Sequence, residues 1–256
     1  MWGPVAGMIR CMRRASRAAL ALSLLLPHAV GCAGTETGNP SITGALSYTG
    51  FSSEPELVGV GRSGSLARVD AAWFDLGPVR AFAADSCSST RRAGLSVPAL
   101  GPGDHAAGNH NVVEYRSSDT AFCGIEVPFV RVPSSASGVP AEVAGHALHL
   151  RGTLANGVPF SIISDATQAV FLSAPQGSFE LREDATDLLL AFDLAAWLRP
   201  LDFTKASVTQ GQIRISVEEN AELLEQFEAS LAAGVLLYRD RDGDGSVDQN
   251  PELLAR

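Results

Sequence analysis

"HALHLRGTLANGVPFSII", residues 146–163, decides the fold. Apolar and polar residues alternate through "HALHLRGTL", pause at Asn156-Gly157, and alternate again through "VPFSII". A period of two belongs to a strand with one buried face. Asn-Gly is the pair a two-residue type I′ turn prefers, because both central residues need positive φ. The stretch therefore predicts a β-hairpin, with His149, Arg151 and Thr153 on its outward face.

Working outward, the same pattern recurs. "IEVPFVRV" puts Ile125, Val127, Phe129 and Arg131 on one face, and Pro128 predicts an edge position. "SLARVDAAWFDLGPVRAF" spaces Leu66, Val69 and Trp73 among short residues, then alternates Phe74, Leu76 and Val79. "ITGALSYTG", "ATQAVFL", "DLLLAFDL" and "QIRISV" complete the strands. Residues 86–119 are rich in Ser, Gly, Asn and Pro and read as loop around a short apolar stretch at Leu95–Leu100. Asp193 is placed to cap a short turn through Trp197, stopped by Pro200. One helix follows, with Asn220 as its cap, Glu222 in its first turn, and Leu224, Phe227 and Leu231 as its buried stripe. Past Gly234 the stripe continues through Val235 and Tyr238, but "VLLY" reads equally as a strand. The fold class is mainly β: an antiparallel β-sandwich with one C-terminal α-helix.

The N-terminus reads as a targeting segment. Arg10, Arg13, Arg14 and Arg17 precede an apolar run from Ala18 to Leu26. A bilayer-spanning helix needs roughly 20 apolar residues, so this run reads as a signal peptide. It stays intact from Met1, Met8 or Met12, which leaves the start codon open. "AVGC", ending at Cys32, resembles a bacterial lipobox, with Ala29 where that family most often has Leu. The resemblance implies a diacylglycerol on the Cys32 thiol, cleavage before it, and acylation of the new amine. Several acyl chains give a firm membrane anchor. The alternative is an ordinary secretory signal cut near Ala33 or Gly34. "GTETGNPS" is similar to the start of many uncharacterised bacterial lipoproteins, and Ala33 after the cysteine favours the outer membrane over inner-membrane retention.

Cleavage there removes four arginines and no acid, so the formal charge moves from −9 to −13. A chain this acidic does not hold nucleic acid through phosphate neutralisation, nor anionic lipid through charge. Its expected partners are the membrane, through the lipid, and an unidentified envelope or extracellular protein. Of the four cysteines, Cys87 and Cys123 remain after Cys11 is removed and Cys32 is lipidated. Neither has a CxxC partner or an adjacent His, so they read as a disulfide rather than a thiolate metal site or a nucleophile.

The middle of the chain resembles a family of uncharacterised secreted bacterial domains with a transthyretin-like β-sandwich. "ARVDAAWFDLGPV", "CGIEVPFVRV" and "LLLAFDLAAWL" carry the resemblance, between Ser65 and Val217. It implies no catalytic residues. The domain boundaries follow: signal peptide 1–31, lipidated tether 32–44, β-sandwich 45–217, helix region 218–238, and an acidic tail 239–256.

Four patterns carry candidate chemistry. "GVGRSG", Gly59–Gly64, matches GxGxxG, but a strand rather than a helix is expected after it, so it reads as a loop. His146 and His149, three apart on a strand, point to opposite faces and do not chelate one ion. His105 and His110 share a Gly/Asn-rich loop, and an exported hydrolase or metal-dependent enzyme built on them is the rival to a binding module. GxSxG, HExxH and SxxK signatures are absent from the sequence. "DRDGDGSVD" is the strongest of the four. Asp240, Asp242, Asp244, Gly245, Ser246 and Asp248 resemble the first nine positions of an EF-hand loop, and of thrombospondin-type and dockerin-like calcium loops. The resemblance implies weak Ca²⁺ binding through Asp240, Asp242, Asp244, the Ser246 carbonyl and Asp248. Pro251 stands where the bidentate Glu belongs, with Glu252 one place later; the alternative is a solvated acidic tail.

Overall fold

The computed structural model describes residues 41–52, 58–60, 65–87, 90–106 and 111–256. The strands in chain order are β1 (Ile42–Phe51), β2 (Val58–Val60), β3 (Ser65–Leu76), β4 (Val79–Ala83), β5 (Ala93–Val97) and β6 (Gly103–Asp104). Then come β7 (Asn111–Ser117), β8 (Ala121–Val130), β9 (Leu148–Leu154), β10 (Pro159–Ser164), β11 (Ala169–Ser173), β12 (Phe179–Glu180) and β13 (Leu188–Asp193). A short helix α1 (Leu194–Leu198) precedes β14 (Val208–Thr209) and β15 (Gln212–Ile215). The chain closes with α2 (Ala221–Ser230), β16 (Val235–Arg239) and β17 (Glu252–Ala255).

Two sheets face each other. The smaller runs β17-β16-β13-β1-β7; the larger runs β14-β15-β10-β9-β3-β8-β4-β5, with β11 and β12 added on β8 and β2 and β6 on β3. Phe74 of β3 meets Phe192 of β13 across the core, ring centroids 4.7 Å apart, and Trp197 and Phe129 extend the cluster. The sandwich is mostly antiparallel, with two parallel pairings, β1 with β13 and β10 with β15. β13 is buried along its whole length, which explains why "LLLAF" is a continuous apolar run rather than an alternating one.

The hairpin at 146–163 forms, but its turn differs from expectation. Asn156 has no positive φ; only Gly157 does, at +84°. Leu154 C=O accepts from Gly157 N–H and Leu154 N–H donates to Val158 C=O, which encloses Ala155, Asn156 and Gly157 in a three-residue loop with a G1-type bulge. The Asn156 side chain accepts from Val158 N–H at 3.1 Å, an Asx-type bond that supports this loop. A turn with two positive φ values does occur, at Gln210 (52°) and Gly211 (78°), between β14 and β15.

Other expectations are corrected by packing. Ile125, Val127 and Phe129 are buried as predicted, but β8 is not an edge: β4 and β3 pair one side of it, β11 and β12 the other. Pro128 fits because it lies where β3 hands over to β4. There its carbonyl accepts from Gly77 N–H, and the proline's missing donor falls at a break in the ladder. Leu66 is exposed, while Ala67, Ala72, Phe74 and Leu76 point inward, because the register shifts between Val69 and Ala71. Asp193 caps α1 as expected, accepting from Ala195 N–H and Ala196 N–H. Asn220 does not cap α2 with its side chain. It sits in the left-handed region at φ +57°, and its amide binds Ser207 N–H, Ser207 C=O and Arg214 C=O instead.

The helix stops early. A Cβ at Gly234 would collide with the Trp197 ring, so the chain passes close there, and Val235–Arg239 extends to pair with β13. The segment read as tether is strand from Ile42 onward, and the acidic tail ends in β17, which pairs with β16. β2 pairs antiparallel with β3, so Gly59 lies on a strand and the described chain resumes as strand at Ser65; residues 61–64 lie outside the described residues. Among the described residues, no helix is long and apolar enough to cross a membrane.

Candidate functional site

The acidic loop joins β16 to β17, and its roots are fixed by the sheet. Arg239 pairs with Glu252 in the ladder, and Asp240 N–H donates to Asp187 C=O at 3.0 Å. The glycines then turn the chain inward: Gly243 and Gly245 both have φ of +70°, where a Cβ is strained. Asp240 is buried (5% exposed), and its two carboxylate oxygens accept from Gly243 N–H at 3.0 Å and Gly245 N–H at 3.1 Å. Asp244 accepts from the Ser246 N–H at 2.8 Å and hydroxyl at 2.6 Å. The result is one oxygen each from Asp240, Asp242 and Asp244 within 4.8 Å of one another.

Burial raises the Asp240 carboxyl above its ordinary range; the two glycine N–H groups pull the other way, and the charges of Asp242 and Asp244 add to the rise. A divalent cation would offset that repulsion, and three carboxylate oxygens are the donor set a hard cation such as Ca²⁺ takes. Asp248 lies further along the loop, and its carboxylate is not part of the trio. Glu252 does not replace the absent bidentate ligand. Its carboxylate contacts Arg241 at 2.7 Å and Arg239 at 3.2 Å, and those arginines, Arg241 foremost, hold its pKa below the usual range. Arg239 itself is buried and also donates to Ala185 C=O and Glu180 C=O, tying the loop to the turn before β13.

The histidines stand elsewhere than expected. His105 is not in a solvated loop. It is buried (2% exposed), stacked on Phe74 at 3.9 Å, with no hydrogen-bond partner for Nδ1 among the described residues, and burial lowers its pKa to about 4. Its backbone bridges Ala72 and Gly50, which locks it into the core. His110 lies outside the described residues. His149 does share the outward face with Arg151, yet it is covered (3% exposed). His146 precedes β9 rather than lying on it, so strand alternation does not separate the pair. Its Nδ1 is held by Asp165 Oδ1 at 2.6 Å.

Cys87 and Cys123 form a disulfide, with Cα atoms 6.3 Å apart. It links the turn after β4 to β8, two strands that already pair. Sequence reasoning finds both cysteines and the aspartate trio; it misses Arg239 and Arg241, whose role depends on β17 folding back.

The chain is thus a disulfide-linked β-sandwich with three aspartates in a strand-connecting loop able to hold a metal ion. No family model matches its sequence, and no curated protein matches it. A solved structure, MbnP from Methylosinus trichosporium, is similar at 8% identity and a TM-score of 0.40, over 67% of this chain and 82% of that one.

Proposed function

We propose that this chain is a lipid-anchored protein of the bacterial cell envelope, held at the outer membrane through Cys32, whose β-sandwich acts as a binding or structural module. The observation that carries the calcium part of the reading is the gathering of Asp240, Asp242 and Asp244 oxygens within 4.8 Å. In this reading those three side chains, the Ser246 carbonyl and Asp248 hold Ca²⁺, and the ion supplies charge neutralisation at the junction of β16 and β17. With no bidentate Glu, waters complete the shell and affinity falls in the weak extracellular class, roughly 10⁻⁴–10⁻³ M. That suits an exported protein in a calcium-rich medium. The disulfide supports export, since such bonds persist in oxidising compartments.

Calorimetric titration of the full chain with Ca²⁺ into the millimolar range tests the loop. A saturable heat that Asp242→Ala removes is expected. Absence of saturable heat leaves 240–248 as an acidic surface loop.

A further inference from the structure

The outer face of β9, β10 and β15 carries a cleft of about 430 Å³, separate from the acidic loop. We propose that it binds a small zwitterion of the free amino-acid kind, carboxylate on Arg214 and Arg151, ammonium on Glu219.

The sheet register builds the anion end. Arg151 stands opposite Ser161 in the β9–β10 pairing, and Ser161 stands opposite Arg214 in the β10–β15 pairing. The three side chains therefore form one row on one face. Neighbouring strands lie about 4.8 Å apart, so the two arginines rise roughly 10 Å apart and their long side chains can converge above the serine. Ser161 is buried, and its hydroxyl oxygen accepts from Gln212 Nε2 at 3.2 Å. The hydroxyl hydrogen has no acceptor among the described residues and remains for a ligand. Guanidinium forks with a hydroxyl between them suit a carboxylate, because each N–H pairs with an oxygen lone pair in a charge-assisted bond.

His149 forms the floor. It lies two residues along β9 from Arg151, on the same face, and opposite Ile163 on β10. Although the residue is covered, its Nδ1 makes no hydrogen bond among the described residues. A buried polar group without a partner is costly and rare in a finished structure. Burial, with Arg151 next, keeps this ring neutral, so it does not add a third fixed charge to the row. Ile163 gives the floor an apolar patch for a short carbon chain.

The charges lining the cleft identify the ligand as a zwitterion. Glu142 is taken by Arg151 through Nη1 alone, at 3.4 Å, and the rest of that guanidinium makes no other hydrogen bond among the described residues, so it can still face a carboxylate. Arg214 and Glu219 make no ion pair with each other or with any other described residue, although both line the cleft. Arg214 and Glu219, one cation and one carboxylate not in contact with each other, match a molecule carrying both opposite charges. The cleft volume falls in the range of small-molecule sites, roughly 300–1,000 Å³.

Nuclear magnetic resonance titration of the full chain with L-alanine and L-glutamine tests the assignment, beside acetate, methylammonium and inorganic phosphate. Saturable shifts are expected with the two amino acids. Acetate and methylammonium, which each carry half of the charge pattern, should bind at least tenfold more weakly. Arg214→Gln and Glu219→Gln, both lining the cleft rather than filling the core, should each weaken amino-acid binding at least tenfold. Arg182→Gln, outside the cleft, should leave it unchanged. No saturable shift with either amino acid, phosphate binding as tight as the amino acids, or binding that survives both cleft substitutions would overturn the proposal.

Discussion

Arg239 and Glu252 face each other across the β16–β17 pairing, guanidinium Nε 3.2 Å from carboxylate Oε2. The arginine is buried and the glutamate is partly open to solvent. An EF-hand loop would spend a carboxylate near this place on the metal; here it is spent on two arginines. Glu252→Gln should therefore leave calcium affinity unchanged while lowering stability. Removing one partner of a half-buried pair costs about 1–2 kcal/mol, between the exposed and buried limits. Asp242→Ala should do the reverse, losing calcium with little change in the calcium-free melting temperature. Paired calorimetric and thermal-melting measurements separate the two. Loss of calcium binding in Glu252→Gln would mean that the glutamate leaves its arginines to reach the ion.

The aspartate trio is legible because it is local: spacing and glycines alone place the three carboxylates inside one loop. The same holds for the 146–163 hairpin, the alternation of β8 and the Asp193 cap, all set by neighbouring residues. What is not legible depends on distant chain. Nothing near His149 announces that it will be covered, or near His105 that it will be stacked on Phe74. Pro128 reads as an edge signal until β3 and β4 are seen to meet opposite it. Asn220 looks like a cap until residues 207 and 214 claim its amide. The Asn156-Gly157 turn departs from expectation for a local reason: Asn156 can satisfy Val158 N–H from an ordinary φ, so only the glycine needs the left-handed region.

The Cys87–Cys123 bond spans 36 residues, and closing such a loop stabilises by about 3–4 kcal/mol on the chain-entropy model. A non-reduced peptide map should show the two peptides joined. Cys87→Ser/Cys123→Ser should lower the unfolding free energy by nearly that amount, read from denaturant midpoints. The β4–β8 pairing should keep the variant folded. Two free thiols on alkylation without reductant would remove the bond from the mature protein.

The proposed anchoring rests on Cys32, which lies outside the described residues. Mass spectrometry of the native N-terminus should find Cys32 as the first residue, carrying diacylglycerol on sulfur and an acyl chain on its amine. Cys32→Ser should release the protein from membranes once it is cut at an ordinary secretory site, because the cleaved chain, at a formal charge of −13 (−9 less four arginines), has neither acyl chains nor an electrostatic hold on anionic lipid. An unmodified terminus at Ala33 or beyond would end the lipoprotein reading and leave a secreted one.

Acid sensitivity should come from the two covered histidines, His105 in the core and His149 under the outer cleft. His105 has its pKa lowered to about 4 by burial, against 6.5 for an unhindered ring, and His149 is lowered to about 4 as well. Between those values the unfolded chain binds more protons than the folded one, so stability rises with pH. The contribution is fully present above about 6.5 and is lost as pH falls toward 4. A tenfold change in proton affinity is worth about 1.4 kcal/mol, so His105 alone accounts for roughly 3 kcal/mol across the window. Denaturant unfolding at a series of pH values should show this slope between pH 6.5 and 4 in the parent chain. His105→Leu changes the packing against Phe74 and shifts the whole curve, but the slope, not the height, reports the titration. That variant should lose about half of the slope, with His149 supplying the rest. An unchanged slope in His105→Leu would show that His105 is not a buried neutral ring.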